Sequence, residues 1–185
     1  MKSKTETIKR KIESYLEKEQ LSKSDEHKKL KRPFLAKSRK NFTVASLLFK
    51  ISEQEDTRKL LNLASDFEAY DWVIIISYYA MYASALSALA HLGYKSKSHA
   101  ATIAVLEHNF AKENEEKGKS LEAKDIHKLA KAHAISEQLI AKLIQTKTRR
   151  ETAQYDATPS ITKEMAKISL GDANEFIAKI EEILS

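Results

Sequence analysis

Residues 70–93 read YDWVIIISYYAMYASALSALAHLG, and this stretch decides the fold. From Trp72 to Ala90 there are 19 residues without an Asp, Glu, Lys or Arg. That length is close to a bilayer span. However, Ser77, Ser84 and Ser87 interrupt the apolar run, and Tyr78, Tyr79 and Tyr82 sit in its middle. A spanning helix keeps its tyrosines near the two interfaces, not at mid-depth. The stretch is therefore predicted to be the central helix of a bundle, buried on most sides. Asp71 is the expected N-cap, and Gly93 the expected left-handed stop. Tyr78 and Tyr82 align on one face, whereas Tyr79 is turned about 100° from Tyr78. Two hydroxyls then need partners in the core, and the third ring is left for a cleft or another subunit.

Outward from this helix the periodicity remains helical. Helices are expected over 4–20, 34–54, 56–64, 99–111, 122–154 and 162–184. Ser98 and Thr162 stand at cap positions for two of them, with Ser160 as the alternative cap for the last. Gly171 lies inside the last helix and is expected to permit a close helix crossing. Residues 21–33 are polar, basic and punctuated by Pro33. A boundary there gives a basic helical N-terminal arm over 1–34 and a bundle over 35–185. The fold class is all-α: an antiparallel up-and-down bundle of four main helices, with a short cross-helix and the arm. The apolar faces of such a bundle leave little room for a deep pocket, so a site is expected in a groove at a dimer seam.

Composition narrows the chemistry. The chain has 185 residues, three glycines and no cysteine. Thiol catalysis, zinc–thiolate centres and disulfide frameworks are excluded, and glycine-rich phosphate loops are absent. The net charge is +6. Residues 1–40 carry 14 Lys and Arg against 6 Asp and Glu, whereas residues 41–185 carry 18 against 20. The whole cationic surplus thus lies in the first forty residues. Such an arm suits phosphate or another acidic surface, and equally a solvated helical lead-in. The charged N-terminus has no apolar leader segment. The expectation is a cytoplasmic protein outside the membrane. No histidine spacing suggests a metal site, and no cofactor is expected.

Tyr70-Asp71-Trp72, followed after five residues by Tyr78-Tyr79-Ala80-Met81-Tyr82, resembles the signature of HEPN domains, helical domains of nucleic-acid defence systems. The usual form is close to Y-D-F-x-x-S-R-A-Y-Y-A-M-F. Gly93-Tyr94-Lys95-Ser96-Lys97-Ser98-His99 is similar to the family's G-x-x-P-K-T-H turn. Arg150-Glu151-Thr152-Ala153-Gln154-Tyr155 is similar to the R-x-x-A-D-Y run of a small HEPN-like prokaryotic subfamily. Asp172-Ala173-Asn174-Glu175-Phe176-Ile177 matches its acidic last helix. The resemblance covers about residues 35–184. It implies a homodimer, an RNA or nucleotide ligand, and a place in a toxin–antitoxin or defence pair with a nucleotidyltransferase-like partner.

Catalytic HEPN members resemble metal-independent ribonucleases with an Arg, four to six residues, then a His. An Arg can hold a phosphodiester, and a His can move protons near neutral pH. Here no His follows Arg149 or Arg150 at that distance. Tyr155 stands in its place after Arg150, and a phenol with a pKa near 10 shuttles protons poorly at neutral pH. Ile75 and Ile76 also replace the family's frequent Ser and Arg. The reading leans away from an enzyme. Arg149, Arg150, Lys147, Tyr155 and His99 are the candidate ligand-binding residues. Arg150 and Tyr155 are the candidates for catalysis if a variant Arg…Tyr ribonuclease survives. The cationic cluster, which includes Lys142, equally suits the C-terminal dipole of the long helix. The remaining alternative is a non-catalytic protein–protein scaffold.

Overall fold

The computed structural model describes residues 4–110, 127 and 161–185. Among them are six helices and one two-stranded ribbon. Helix α1 spans Lys4–Glu17, strand β1 Leu21–Lys23, and a 3₁₀ turn Asp25–Leu30. Helix α2 spans Lys31–Glu53, α3 Glu55–Leu60 and α4 Tyr70–His91. Strand β2 covers Tyr94–Ser96, α5 His99–Phe110 and α6 Lys163–Leu184. The expected helix over 122–154 lies outside the described residues, apart from His127.

The charge-free stretch forms the central helix α4. It is long and apolar enough to cross a membrane, but 78% of its most apolar window is buried inside the protein. Its neighbour α2 presents Ser38, Ala45 and Ser52, all buried, at seven-residue intervals along one stripe. Small side chains there let two backbones come close. Ser38 Oγ donates to Ala80 O at 2.8 Å, and Ser87 Oγ donates to Lys31 O at 2.8 Å. At the other end, Ala69 N donates to Ser52 Oγ at 3.0 Å. These contacts run in opposite directions along the two chains, so α2 and α4 are antiparallel.

Helix α6 completes this layer. Lys31 Nζ donates to Leu184 O at 2.8 Å, and Arg39 pairs with Glu181 at 2.7 Å. At the far end, Lys163 pairs with Glu53. So α6 is antiparallel to α2 and parallel to α4, in the order of an up-and-down bundle. The stripe Ala166, Ala173, Ile177, Ile180 and Leu184 follows coiled-coil-like spacing and is buried throughout. Thr162 caps the helix, its Oγ1 accepting from Met165 N at 3.2 Å.

Glu53 ties three helices at that far end. Its carboxylate accepts from Tyr70 Oη at 2.7 Å and pairs with Lys163. Lys163 foremost, then Tyr70, hold Glu53 below the usual carboxylate range. Reciprocally, the Tyr70 phenol is pushed up to about 12, chiefly by Glu53. A carboxyl depressed in the folded state stabilises above its unfolded value and loses that contribution as pH falls through its folded value. The melting-temperature advantage of the wild type over Glu53→Gln is thus expected in full at pH 7. Melts across an acid series should show it shrinking below about pH 4.5.

Three expectations need correction. Asp71 does not cap α4: the helix begins at Tyr70, and Asp71 Oδ1 accepts from Trp72 N at 2.8 Å inside the first turn. Helix α2 starts at Lys31, because Pro33 falls in its first turn, where no backbone donor is needed. Gly171 is exposed and serves no close crossing with a described helix, since a Cβ there would meet nothing within 4 Å among the described residues. Gly171→Ala should consequently raise stability by about 0.5–1 kcal/mol, read as a higher melting temperature.

Residues 21–33 are also more ordered than a polar connector. Strands β1 and β2 pair antiparallel, with Leu21 opposite Ser96, Ser22 opposite Lys95 and Lys23 opposite Tyr94. Leu21 is 2% exposed and joins a core cluster with Ile12 of α1 and Leu106 and Phe110 of α5. The N-terminal segment is therefore packed onto the bundle.

Candidate nucleic-acid interface at the His99 turn

The turn between α4 and α5 is built from its glycine outward. Gly93 ends α4 with φ +81, a left-handed backbone that a side chain resists. A Cβ on Gly93 would also approach Ser24 O to 3.1 Å. Ser24 N donates to Gly93 O at 2.9 Å, and Lys97 N donates to Gln20 O at 2.9 Å. These bonds extend the ribbon at both ends. Ser96 Oγ then donates to Ser98 O at 2.8 Å and accepts from Ser98 N at 3.2 Å. Ser98 starts α5, its Oγ accepting from Ala101 N at 3.4 Å. His99 is thereby fixed as the first residue of α5.

Helix α4 receives the His99 ring. Tyr78 and Tyr82 lie one turn apart on the face toward α5, in keeping with their four-residue spacing. The Tyr78 hydroxyl hydrogen-bonds the His99 ring at Nδ1. The Tyr82 ring stacks on His99 with centroids 4.1 Å apart and planes 30° apart. Tyr78 is 1% exposed, and its ring lies 6.0 Å from that of Tyr82. Burial pushes the Tyr82 phenol up, against a hydrogen bond with Thr102 that lowers it. Tyr79 is turned away and is 40% exposed. An imidazole gripped by a hydroxyl and a stacked ring keeps one orientation. That is what a group needs in order to bind a ligand edge or pass a proton.

Of the residues singled out from the sequence, His99 is half-buried in this aromatic cradle. Lys147, Arg149, Arg150 and Tyr155 lie outside the described residues. Sequence reasoning missed the joining of Tyr78 and Tyr82 to His99, and the ribbon that sets Lys23 beside Tyr94. The one available signal was the Lys-Ser alternation of Lys95-Ser96-Lys97-Ser98, which fits an exposed strand edge. Among the described residues, no group of three His, Asp or Glu side chains could hold a metal ion.

An all-helical bundle whose central helix carries a tyrosine cluster, facing a histidine at the head of the next helix, belongs to a recognisable class. The profile of the HEPN domain matches residues 47–183. The chain belongs to the HEPN domain family, whose members are often RNA-related. Helix α1, strand β1 and the first two thirds of α2 precede the matched region. Comparison with curated proteins gives no significant match.

Proposed function

We propose that this HEPN protein is an RNA- or nucleotide-binding module that acts through phosphate contacts. The observation that carries the reading is the packing of the cationic N-terminal segment onto the His99 turn by β1–β2 pairing. Part of the chain's cationic surplus, Lys23, Lys28 and Lys29 against Asp25 and Glu26, thus sits beside the family's motif residues. Arg149, Arg150, Lys147 and Tyr155 would supply further contacts, in keeping with the resemblance of their motif. The same reading makes the protein a cytoplasmic homodimer. It would work in a toxin–antitoxin or defence pair with a nucleotidyltransferase-like partner.

The test is a gel assay with end-labelled single-stranded RNA, without metal, across a salt series. A salt-sensitive shift that weakens in an Arg149→Ala/Arg150→Ala variant supports the module. Absence of any shift at low salt refutes it, and a co-purifying protein would then favour the scaffold. One observation supports a second reading, a metal-independent ribonuclease. The His99 ring, oriented by Tyr78 and Tyr82, offers a proton carrier that Tyr155 alone does not. Cleavage in the same gel, lost in both Arg150→Ala and His99→Ala, would establish that reading. Intact RNA in the shifted bands would remove it.

A further inference from the structure

The ribbon joins two parts of the chain, one before the family match and one inside it. Its exposed side chains are serines and lysines. Lys23 Nζ sits 4.9 Å from the centroid of the Tyr94 ring. A ring face positions an ammonium without neutralising it. Lys95 and Lys97 are both exposed and two residues apart, so an extended backbone turns them to one side. Neither has a carboxylate partner among the described residues.

The surroundings reinforce the charge. Lys28 reaches the same end of α4, its Cε 3.9 Å from the position a Gly93 Cβ would take. It pairs with Asp25 at 2.7 Å, and Lys29 approaches Glu26 at 3.9 Å. Asp25 is held below its ordinary range by Lys28 first and by Lys23 after it. At the end of α4, burial together with the charges of Lys31 and Lys28 lowers His91. The local field is thus positive even after Asp25 and Glu26 are counted.

We propose that the outer face of the β1–β2 ribbon is a contact surface for the phosphate backbone of single-stranded RNA, with Lys95 and Lys97 as the phosphate ligands; Lys23, opposite Tyr94 on the other face, and Lys28 add to the field without touching the strand. This rests on the RNA reading above and deepens it by naming where the strand lies. The ribbon leads within three residues into His99, so a backbone held along β2 is delivered to the aromatic cradle. The geometry favours RNA over a lipid surface. Membrane-surface elements insert an apolar face beside their lysines. Here the apolar residues of the ribbon are withdrawn: Leu21 is in the core, and Tyr94 is half-buried beneath Lys23. Backbone hydrogen bonds fix the main chain that carries the lysines, so little backbone ordering remains to oppose binding.

The test uses the full chain and fluorescently labelled single-stranded RNA, with affinity measured from about 50 to 300 mM salt. Each phosphate contact on a single strand contributes about 0.7 to the slope of log affinity against log salt. The K95Q/K97Q variant should therefore lose about 1.4 from that slope. Affinity at the lowest salt should fall by at least about fivefold. A control variant, K40Q/K50Q, removes the same charge elsewhere on the bundle and should keep the slope. Both of its positions are exposed. Matching melting temperatures establish that both variants are folded.

An unchanged slope and affinity in the ribbon variant would overturn this inference while leaving RNA binding by the protein intact. Equal losses in the two variants would also overturn it, reducing the effect to net charge. Binding to phosphatidylserine–phosphatidylcholine vesicles in place of RNA would overturn it in favour of a membrane surface. A wild type that never binds RNA would refute the broader reading and this one together.

Discussion

Leu21→Asp should unfasten the N-terminal segment from the bundle, at a cost of at least about 3 kcal/mol. Leu21 is the one apolar residue of β1 and is 2% exposed, in the cluster that includes Ile12, Leu106 and Phe110. Removing its side chain forfeits burial of a full leucine, for which truncation alone costs about 2–5 kcal/mol. Asp adds an unpaired charge at a site that offers no cation, because Lys23 and Lys95 point to solvent. The expected result is local before it is global. The Ser24 and Lys97 amides, which donate across the ribbon to Gly93 O and Gln20 O, should lose hydrogen-exchange protection. Amides in the middle of α4 should keep theirs. RNA binding should lose the portion of its salt dependence that Lys95 and Lys97 supply, because their strand no longer has a fixed pairing partner. Unchanged protection at Ser24 and Lys97 would show that the 3₁₀ turn and α1 hold the segment without Leu21.

The same residues show what was legible in the sequence. The central helix was, because in a chain this highly charged nineteen consecutive residues without a charge have to be kept from water. Gly93 and the caps at Ser98 and Thr162 were legible, since each rests on local chemistry: a left-handed φ or a side-chain acceptor at a helix start. The ribbon was not. Each strand has three residues, too few for an alternating pattern to register, and the pairing joins positions far apart in the chain. Pro33 looked like a break because proline ends helices more visibly than it begins them. In the structure it occupies the first turn, where its missing N–H has no cost. Gly171 looked like a packing device but is exposed, with no described residue within reach of a Cβ there, since sequence spacing alone does not say whether a partner helix stands opposite. For the site, His99 and the tyrosines were each conspicuous, but their contact spans 21 residues and depends on the angle of the Gly93 turn.

Phe176→Ala is expected to have the largest effect on stability, about 3–5 kcal/mol, lowering the melting temperature by roughly 10 °C in a chain of this size. Phe176 is fully buried in α6 and belongs to the same cluster as Tyr78, Met81 and Leu89 of α4. Its neighbours on α6 are Ala173, Ile177 and Ile180, all buried. None can extend into the space a phenyl ring leaves, so the cavity persists and the transfer cost is not recovered. The functional consequence should be small in the temperature range where the variant stays folded. Lys95 and Lys97 are placed by β1–β2 pairing, the Gly93 turn and the Ser24–Gly93 bond, none of which involves α6. RNA affinity should then keep its wild-type salt slope at about 10 °C, well below the melting range, even as thermal melts show a severely weakened fold. A drop of only a few degrees would mean that α6 is not the cover of this core. A lost salt slope in the folded variant would mean that the phosphate surface depends on the packing of α6, not on the ribbon alone. The Lys31–Leu184 bond, which joins the ribbon end of α2 to the last turn of α6, would be the first place to look for that dependence.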